Sequence, residues 1–277
     1  MNRIDAHHHV WHIARGDYPW LTPALPIYRD YGLDDLRPLL GDITGTVLVQ
    51  AAPTEAETAF LLAVAQGSAG LVRGVVGWID LSEPDAPARA AALAGSPRLK
   101  GLRPMLQDIP DTDWILRPEA QPGLHAMAEL GLRLDALIQP RHLPGMLVLA
   151  ERHPELQVVV DHAAKPDIAG KVWQPWADDM ARLARDTTMC CKLSGLATEA
   201  GPAWQVADLR RYVDHVVECF GADRVMWGSD WPVVDLAGGF AAWRAASRGL
   251  LAGLATADRD AVLGGTAIRF YQLDTTP

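Results

Sequence analysis

Eight short apolar runs, separated by longer segments of helical periodicity, constrain this chain more than any other feature. The runs lie at residues 3–6, 45–51, 72–80, 99–103, 133–138, 157–161, 189–193 and 224–227. Several are apolar throughout rather than alternating, as parallel strands covered on both faces require. Between them, residues 55–66, 83–94, 118–130, 143–152, 173–185 and 203–220 read as helices, and 240–249 and 256–263 close the chain. Thr54 and Glu57 have the spacing of a capping box at the start of the first helix. Eightfold alternation of strand and helix predicts an α/β fold, a (β/α)8 TIM barrel. The 277 residues suit that fold, and no linker, repeat or low-complexity tract interrupts them. Residues 1–277 are therefore expected to form a single barrel domain. Segment 16–38, with Tyr18, Trp20, Tyr28 and Tyr31, is too long for a βα loop. It is expected to fold over the barrel mouth or to pack on a neighbour.

Barrels of this kind do their chemistry at the C-terminal ends of the strands, and the strand ends here are polar. The first run leads into Asp5-Ala6-His7-His8-His9. Alternation puts His7 and His9 on one face, about 6.6–6.8 Å apart along the strand. Two imidazoles so placed can reach one metal ion or one substrate carbonyl, while His8 faces away and is read as structural. Gly228-Ser229-Asp230-Trp231-Pro232 follows the eighth run. The first and eighth strands are neighbours in a closed barrel, so Asp230 should converge on His7 and His9. His162, after the sixth run, would complete a three-histidine, one-carboxylate set. Such a set suits Zn²⁺ or another divalent metal with an open position; the alternative is a metal-free histidine that polarises the substrate. Arg103 offers a rigid fork of donors for a substrate oxygen or oxyanion. Gln50, Asp80 and Lys192 stand at other strand ends, and Trp231 could stack on a sugar ring. These four are expected to contact substrate. His125, His142, His153 and His215 fall on helices or their ends and receive no role.

The charge balance, 25 basic against 34 acidic residues, opposes a nucleic-acid or anionic-membrane partner. Cys190, Cys191 and Cys219 form neither a disulfide framework nor a zinc knuckle. With no signal-like N-terminus and no membrane-length apolar run, a soluble cytoplasmic protein is expected. A homo-oligomer is compatible with all of this.

Seven motifs, taken together and in order, carry a resemblance. They are Asp5-Ala6-His7-His8-His9-Val10-Trp11, Val49-Gln50-Ala51 with Thr54-Glu55, and Gly74-Val75-Val76-Gly77-Trp78-Ile79-Asp80. Lys100-Gly101-Leu102-Arg103-Pro104, Asp161-His162-Ala163-Ala164-Lys165-Pro166, Lys192-Leu193-Ser194-Gly195-Leu196 and Trp227-Gly228-Ser229-Asp230-Trp231-Pro232 follow. The chain resembles the amidohydrolase superfamily, in its amidohydrolase-2 branch, and within it the lactonases of L-fuconate and L-rhamnonate type. The resemblance implies a distorted barrel that opens the ring of a sugar-acid lactone. It matches His7 and His9 to the family's HxH pair, His162 to its later-strand histidine and Asp230 to its strand-eight aspartate. No strand-four lysine or strand-four/strand-five set stands ready to bridge two metals. The implied cofactor is thus one divalent ion, zinc first, with metal-independent catalysis left open. In the implied mechanism Asp230 is the general base, the histidines polarise the carbonyl and Arg103 holds oxygens. A metal-dependent decarboxylase of the same superfamily and a non-catalytic sugar-acid binder are the alternatives.

Overall fold

Each apolar run becomes a strand. In the computed structural model, which describes residues 2–274, the strands are β1 Ile4–His8, β2 Gly45–Val49, β3 Val72–Gly77 and β4 Leu99–Leu102, then β5 Arg133–Ala136, β6 Val158–Val160, β7 Cys190–Leu193 and β8 Val225–Trp227. Among the described residues they form one parallel sheet in the order β1 to β8. Most are shorter than the sequence runs, which continue into the loops that carry the polar groups.

The ends of the sheet meet through the segment after β8. His9 N donates to Trp231 O at 2.7 Å, and Asp230 N donates to His7 O at 2.8 Å. Gly228 permits this approach, because a Cβ there would sit 2.6 Å from the Cβ of His7. The barrel is closed by loop backbone rather than by a regular ladder, which is its distortion. The β1–β2 pairing also shifts register between Asp5 and His8, releasing the strand end from strict alternation.

The interior is layered. Ile4, Val47, Val76, Val159 and Met226 form an apolar floor, closed from below by Phe270 and Tyr271 of a terminal helix, Thr266–Tyr271. Two residues beyond Val159 and Cys190 come Asp161 and Lys192, where the interior turns charged. Outside the sheet, a second apolar cluster joins strands to helices such as Glu55–Gln66, Leu143–Arg152 and Val206–Phe220. Thr54 caps the first of these by accepting from Glu57 N at 3.1 Å. The expected capping box is incomplete, because the Glu57 carboxylate turns back to accept from Ala51 N and Ala52 N, at 2.7 Å from the latter. No helix among the described residues is long and apolar enough to cross a membrane.

His8 is structural, as expected: it is fully buried, with Nε2 2.9 Å from Thr46 Oγ1. Burial, reinforced by His9, pushes its pKa down from 6.5 to about 3. Between those values the unfolded chain binds a proton that the folded chain refuses, so His8 costs stability as pH falls. The stability advantage of wild type over His8→Asn should shrink by about 3 kcal/mol between pH 7.5 and pH 4. Urea titrations at both pH values read this; an advantage independent of pH would contradict a buried neutral imidazole.

Candidate active site

His7, His9, His162 and Asp230 converge. The Nε2 atoms of His7 and His9 are 3.3 Å apart. Asp230 Oδ1 lies 3.8 Å from His7 Nε2, 3.4 Å from His9 Nε2 and 3.9 Å from His162 Nε2. His9, His162 and Asp230 face an open cavity of about 260 Å³, whereas His7 is wholly enclosed behind them. Trp20, Leu25, Met105, Leu137, Val233 and Leu236 supply the apolar walls of that cavity. Trp20 and Leu25 come from segment 16–38, which does fold over the mouth; Trp20 Nε1 is anchored on Ala51 O at 2.8 Å.

The ring orientations are set from behind. His9 Nδ1 lies 2.8 Å from Val49 O, a carbonyl that can only accept, so in the neutral ring the Nε2 lone pair faces Asp230. His162 Nδ1 lies 2.8 Å from Ser194 Oγ. Gly195 leaves room for that ring: it has φ 67°, and a Cβ there would meet His162 Nδ1 at 2.7 Å. His162 itself opens a left-handed turn, with φ of 53°, 50°, 59° and 51° at His162, Ala163, Ala164 and Lys165. A left-handed turn of L-residues costs roughly 1–2 kcal/mol per residue, and such strain concentrates at functional sites. Trp176 Nε1 helps to hold it by donating to Ala163 O at 2.7 Å.

Burial pushes the His162 pKa down to about 4 and that of His7 well below 6.5, the latter reinforced by Lys192. Both are neutral at pH 7. Burial alone would raise the Asp230 carboxyl, but the imidazoles of His162, His9 and His7 outweigh it. The group is held well below the usual carboxylate range, and Asp230 is ionised.

Beneath the site lies a buried charge network. Lys192 Nζ is 2.5 Å from Asp135 Oδ2, 3.0 Å from Asp161 Oδ1 and 3.2 Å from His7 Nδ1. The Tyr271 hydroxyl donates to Asp135 Oδ2 at 2.7 Å. Arg103 bridges upward from Asp161: Nη1 lies 3.2 Å from Asp161 Oδ2 and 3.3 Å from His7 Nε2. Its Nε and Nη2 donate to Gln50 Oε1 at 2.9 and 2.7 Å, and Nη2 also donates to Gln50 O. Asp161, which the sequence places at a polar strand end without a role of its own, joins both cations.

The four residues expected to contact substrate are placed elsewhere. Gln50 and Lys192 are fully buried, one holding Arg103 and the other the two aspartates. Asp80 accepts from Ser82 N and Oγ at 2.9 and 2.6 Å, closing the turn after β3. Trp231 is 1% exposed and packs edge-on against Tyr31 at 5.3 Å. None of the four lines the cavity. Lys165 does, and nothing in its residue type marked it in advance.

A metal can be tested against this geometry. Ligand bonds of about 2.0–2.1 Å at tetrahedral angles put ligand atoms about 3.3–3.4 Å apart. His7 Nε2, His9 Nε2 and Asp230 Oδ1 form a triangle with edges of 3.3, 3.4 and 3.8 Å. Behind His7, Nδ1 lies 3.2 Å from Lys192 Nζ and 3.6 Å from Asp161 Oδ1. The donor set and its spacing fit a small divalent ion.

A model of the amidohydrolase family matches residues 4–273. The chain belongs to that family. A curated amidohydrolase relative from Burkholderia ambifaria, named L-fucono-1,5-lactonase, is 47% identical over 98% of this chain and 96% of its own. Another of that name, from Burkholderia multivorans, is 35% identical over 98% of this chain and 96% of its own. Among solved structures, an amidohydrolase from Burkholderia multivorans with bound zinc superposes with a TM-score of 0.93 at 35% identity, covering 99% of this chain and all of the other. The distorted eight-stranded barrel is thus an amidohydrolase barrel.

Proposed function

We propose that this amidohydrolase hydrolyses a sugar-acid lactone, an L-fucono- or L-rhamnono-type aldonolactone, as a single cytoplasmic domain. The three cysteines are free, which suits a reducing compartment. The observation that carries the reading is the Asp230 carboxyl at the base of a cavity, 3.4 Å from His9 and 3.9 Å from His162. Similarity to the lactonases over nearly the whole chain supports the substrate class.

Asp230 takes a proton from water as the water oxygen attacks the lactone carbonyl carbon; such a base contributes about 10²–10⁴-fold. His9 and His162 hold the water and the carbonyl in line. Collapse of the tetrahedral adduct breaks the ring C–O bond, and Asp230 returns its proton to the departing ring oxygen. A divalent ion held by His7, His9 and Asp230, with zinc first for this donor set, would supply Lewis-acid polarisation of the carbonyl when bound. The apolar walls offer a dry surface to the ring's carbon face.

The test is acid release from a panel of 1,4- and 1,5-aldonolactones, with and without chelator, alongside elemental analysis of the protein. Turnover of at least one member is expected. Carbon dioxide release from an aromatic acid with no lactone turned over would replace this reading with a decarboxylase.

A further inference from the structure

Two basic side chains, Arg103 and Lys165, line the cavity, and they differ in availability. A guanidinium has five N–H donors. In Arg103 these face Gln50 Oε1 and Gln50 O, Asp161 Oδ2 and His7 Nε2. The residue is 2% exposed, and any turn towards a ligand would break that set. The oxygen clamp expected of Arg103 is therefore already taken up by protein. Lys165 stands in the opposite condition. Its ammonium has three donors, and it is paired with one group only among the described ion pairs, the Glu199 carboxylate, whose Oε1 lies at 3.7 Å. One carboxylate at that distance leaves donors of the ammonium to spare. The left-handed turn that points His162 into the cavity ends on Lys165, with Lys165 N donating to His162 O at 2.9 Å. Strained backbone thus presents an imidazole and an ammonium with donors to spare to the same space as Asp230.

We infer that Lys165 is a further catalytic residue, the cation that receives the exocyclic carbonyl oxygen of the substrate. The inference rests on the lactone reading above. As water adds to the carbonyl carbon and Asp230 takes its proton, the carbonyl oxygen gains the negative charge, and the ammonium meets it. When the ring C–O bond breaks, that oxygen becomes one of the two oxygens of the product carboxylate. The charge stays beside Lys165 while the proton passes from Asp230 to the ring oxygen. A preformed donor aimed at developing charge acts most strongly where water is excluded. Arg103 instead keeps His7, Asp161 and Gln50 in register from below.

The test uses the full chain with Lys165→Met, which keeps the stem and removes the donors, and Lys165→Arg, which restores a cation. On the lactone turned over fastest by wild type, kcat/KM should fall roughly 100-fold in Lys165→Met, with most of the loss in kcat. Lys165→Arg should recover at least tenfold of it. L-fuconate binding, read by calorimetry without turnover, should weaken at least tenfold in Lys165→Met. Lys165→Gln serves in the same two assays if Lys165→Met does not fold. Wild-type rates and wild-type fuconate affinity in the neutral variants would overturn the assignment while leaving the lactone reading intact. If wild type turns over no lactone, the reading above fails instead. The catalytic assignment of Lys165 then falls with it, whatever the fuconate affinity.

Discussion

Asp230→Asn should lower kcat on the best lactone by about 10²–10⁴-fold while leaving the fold intact. Asparagine has the shape of aspartate, and its amide can donate to the unprotonated His9 Nε2. The backbone bonds that fix the position, Asp230 N to His7 O at 2.8 Å and Val234 N to Asp230 O at 2.9 Å, do not involve the side chain. What is lost is a group able to take a proton from water and return it to the ring oxygen. KM should change little, because the apolar walls and Lys165 remain. The pH profile separates loss of a base from loss of shape. The imidazoles hold the Asp230 carboxyl well below the usual carboxylate range despite its burial. Its ionised, active form therefore persists as pH falls and is lost only through that depressed pKa. Wild-type kcat should show no acid limb from this group between pH 7 and pH 5. Steady-state rates across that range check both points, and an asparagine variant within tenfold of wild type would remove Asp230 from the mechanism.

The architecture was legible in the sequence because parallel strands buried on both faces read as unbroken apolar runs. Val158–Val160 and Gly45–Val49 are such runs, and each became a strand at the expected place. The meeting of His7, His9 and Asp230 followed from topology alone, since closing a barrel makes its first and last strands neighbours. Depth and commitment were not legible. Alternation says which way Lys192 points, but not that Asp135 and Asp161 wait below the cavity to receive it. Residue type says that Arg103 can clamp an oxygen, but not that the side chain and carbonyl of Gln50 already occupy it. The left-handed turn was hidden because Ala163 and Ala164 stand where glycine would have signalled positive φ. The terminal helix Thr266–Tyr271 is too short to show a periodicity, yet its tyrosine reaches the charged layer. Packing against the barrel floor, not helical propensity, gives that helix its place.

The buried network makes the other large prediction, in stability rather than rate. Barrel interiors are ordinarily filled by branched apolar side chains; here a lysine and two aspartates lie at 0% exposure. Burial would raise the Asp161 carboxyl, but Lys192, His7 and Arg103 outweigh it and hold Asp161 ionised. Burial pushes Asp135 up to about 6, with Lys192 opposing. Lys192→Met removes the shared cation and leaves two carboxylates facing the low-dielectric interior with Arg103 alone to answer them. Breaking a buried ion pair from one side costs about 3–5 kcal/mol. At roughly 2–4 °C per kcal/mol for a chain of this size, the midpoint of melting should fall by about 10 °C. Neutralising Asp135 as well restores the charge balance. Lys192→Met/Asp135→Asn should therefore recover at least ~2 kcal/mol over the single variant, because the remaining pair, Asp161 and Arg103, is matched. Urea denaturation of the three proteins at pH 7 measures both steps. A single variant within 1 kcal/mol of wild type, or a double variant less stable than the single, would mean that Lys192 is not what holds these carboxylates inside the barrel. Activity should not recover in the double variant, since His7 Nδ1 has still lost the ammonium 3.2 Å away. Recovery of stability without recovery of rate would place Lys192 beneath the chemistry, as the group that fixes the His7 ring.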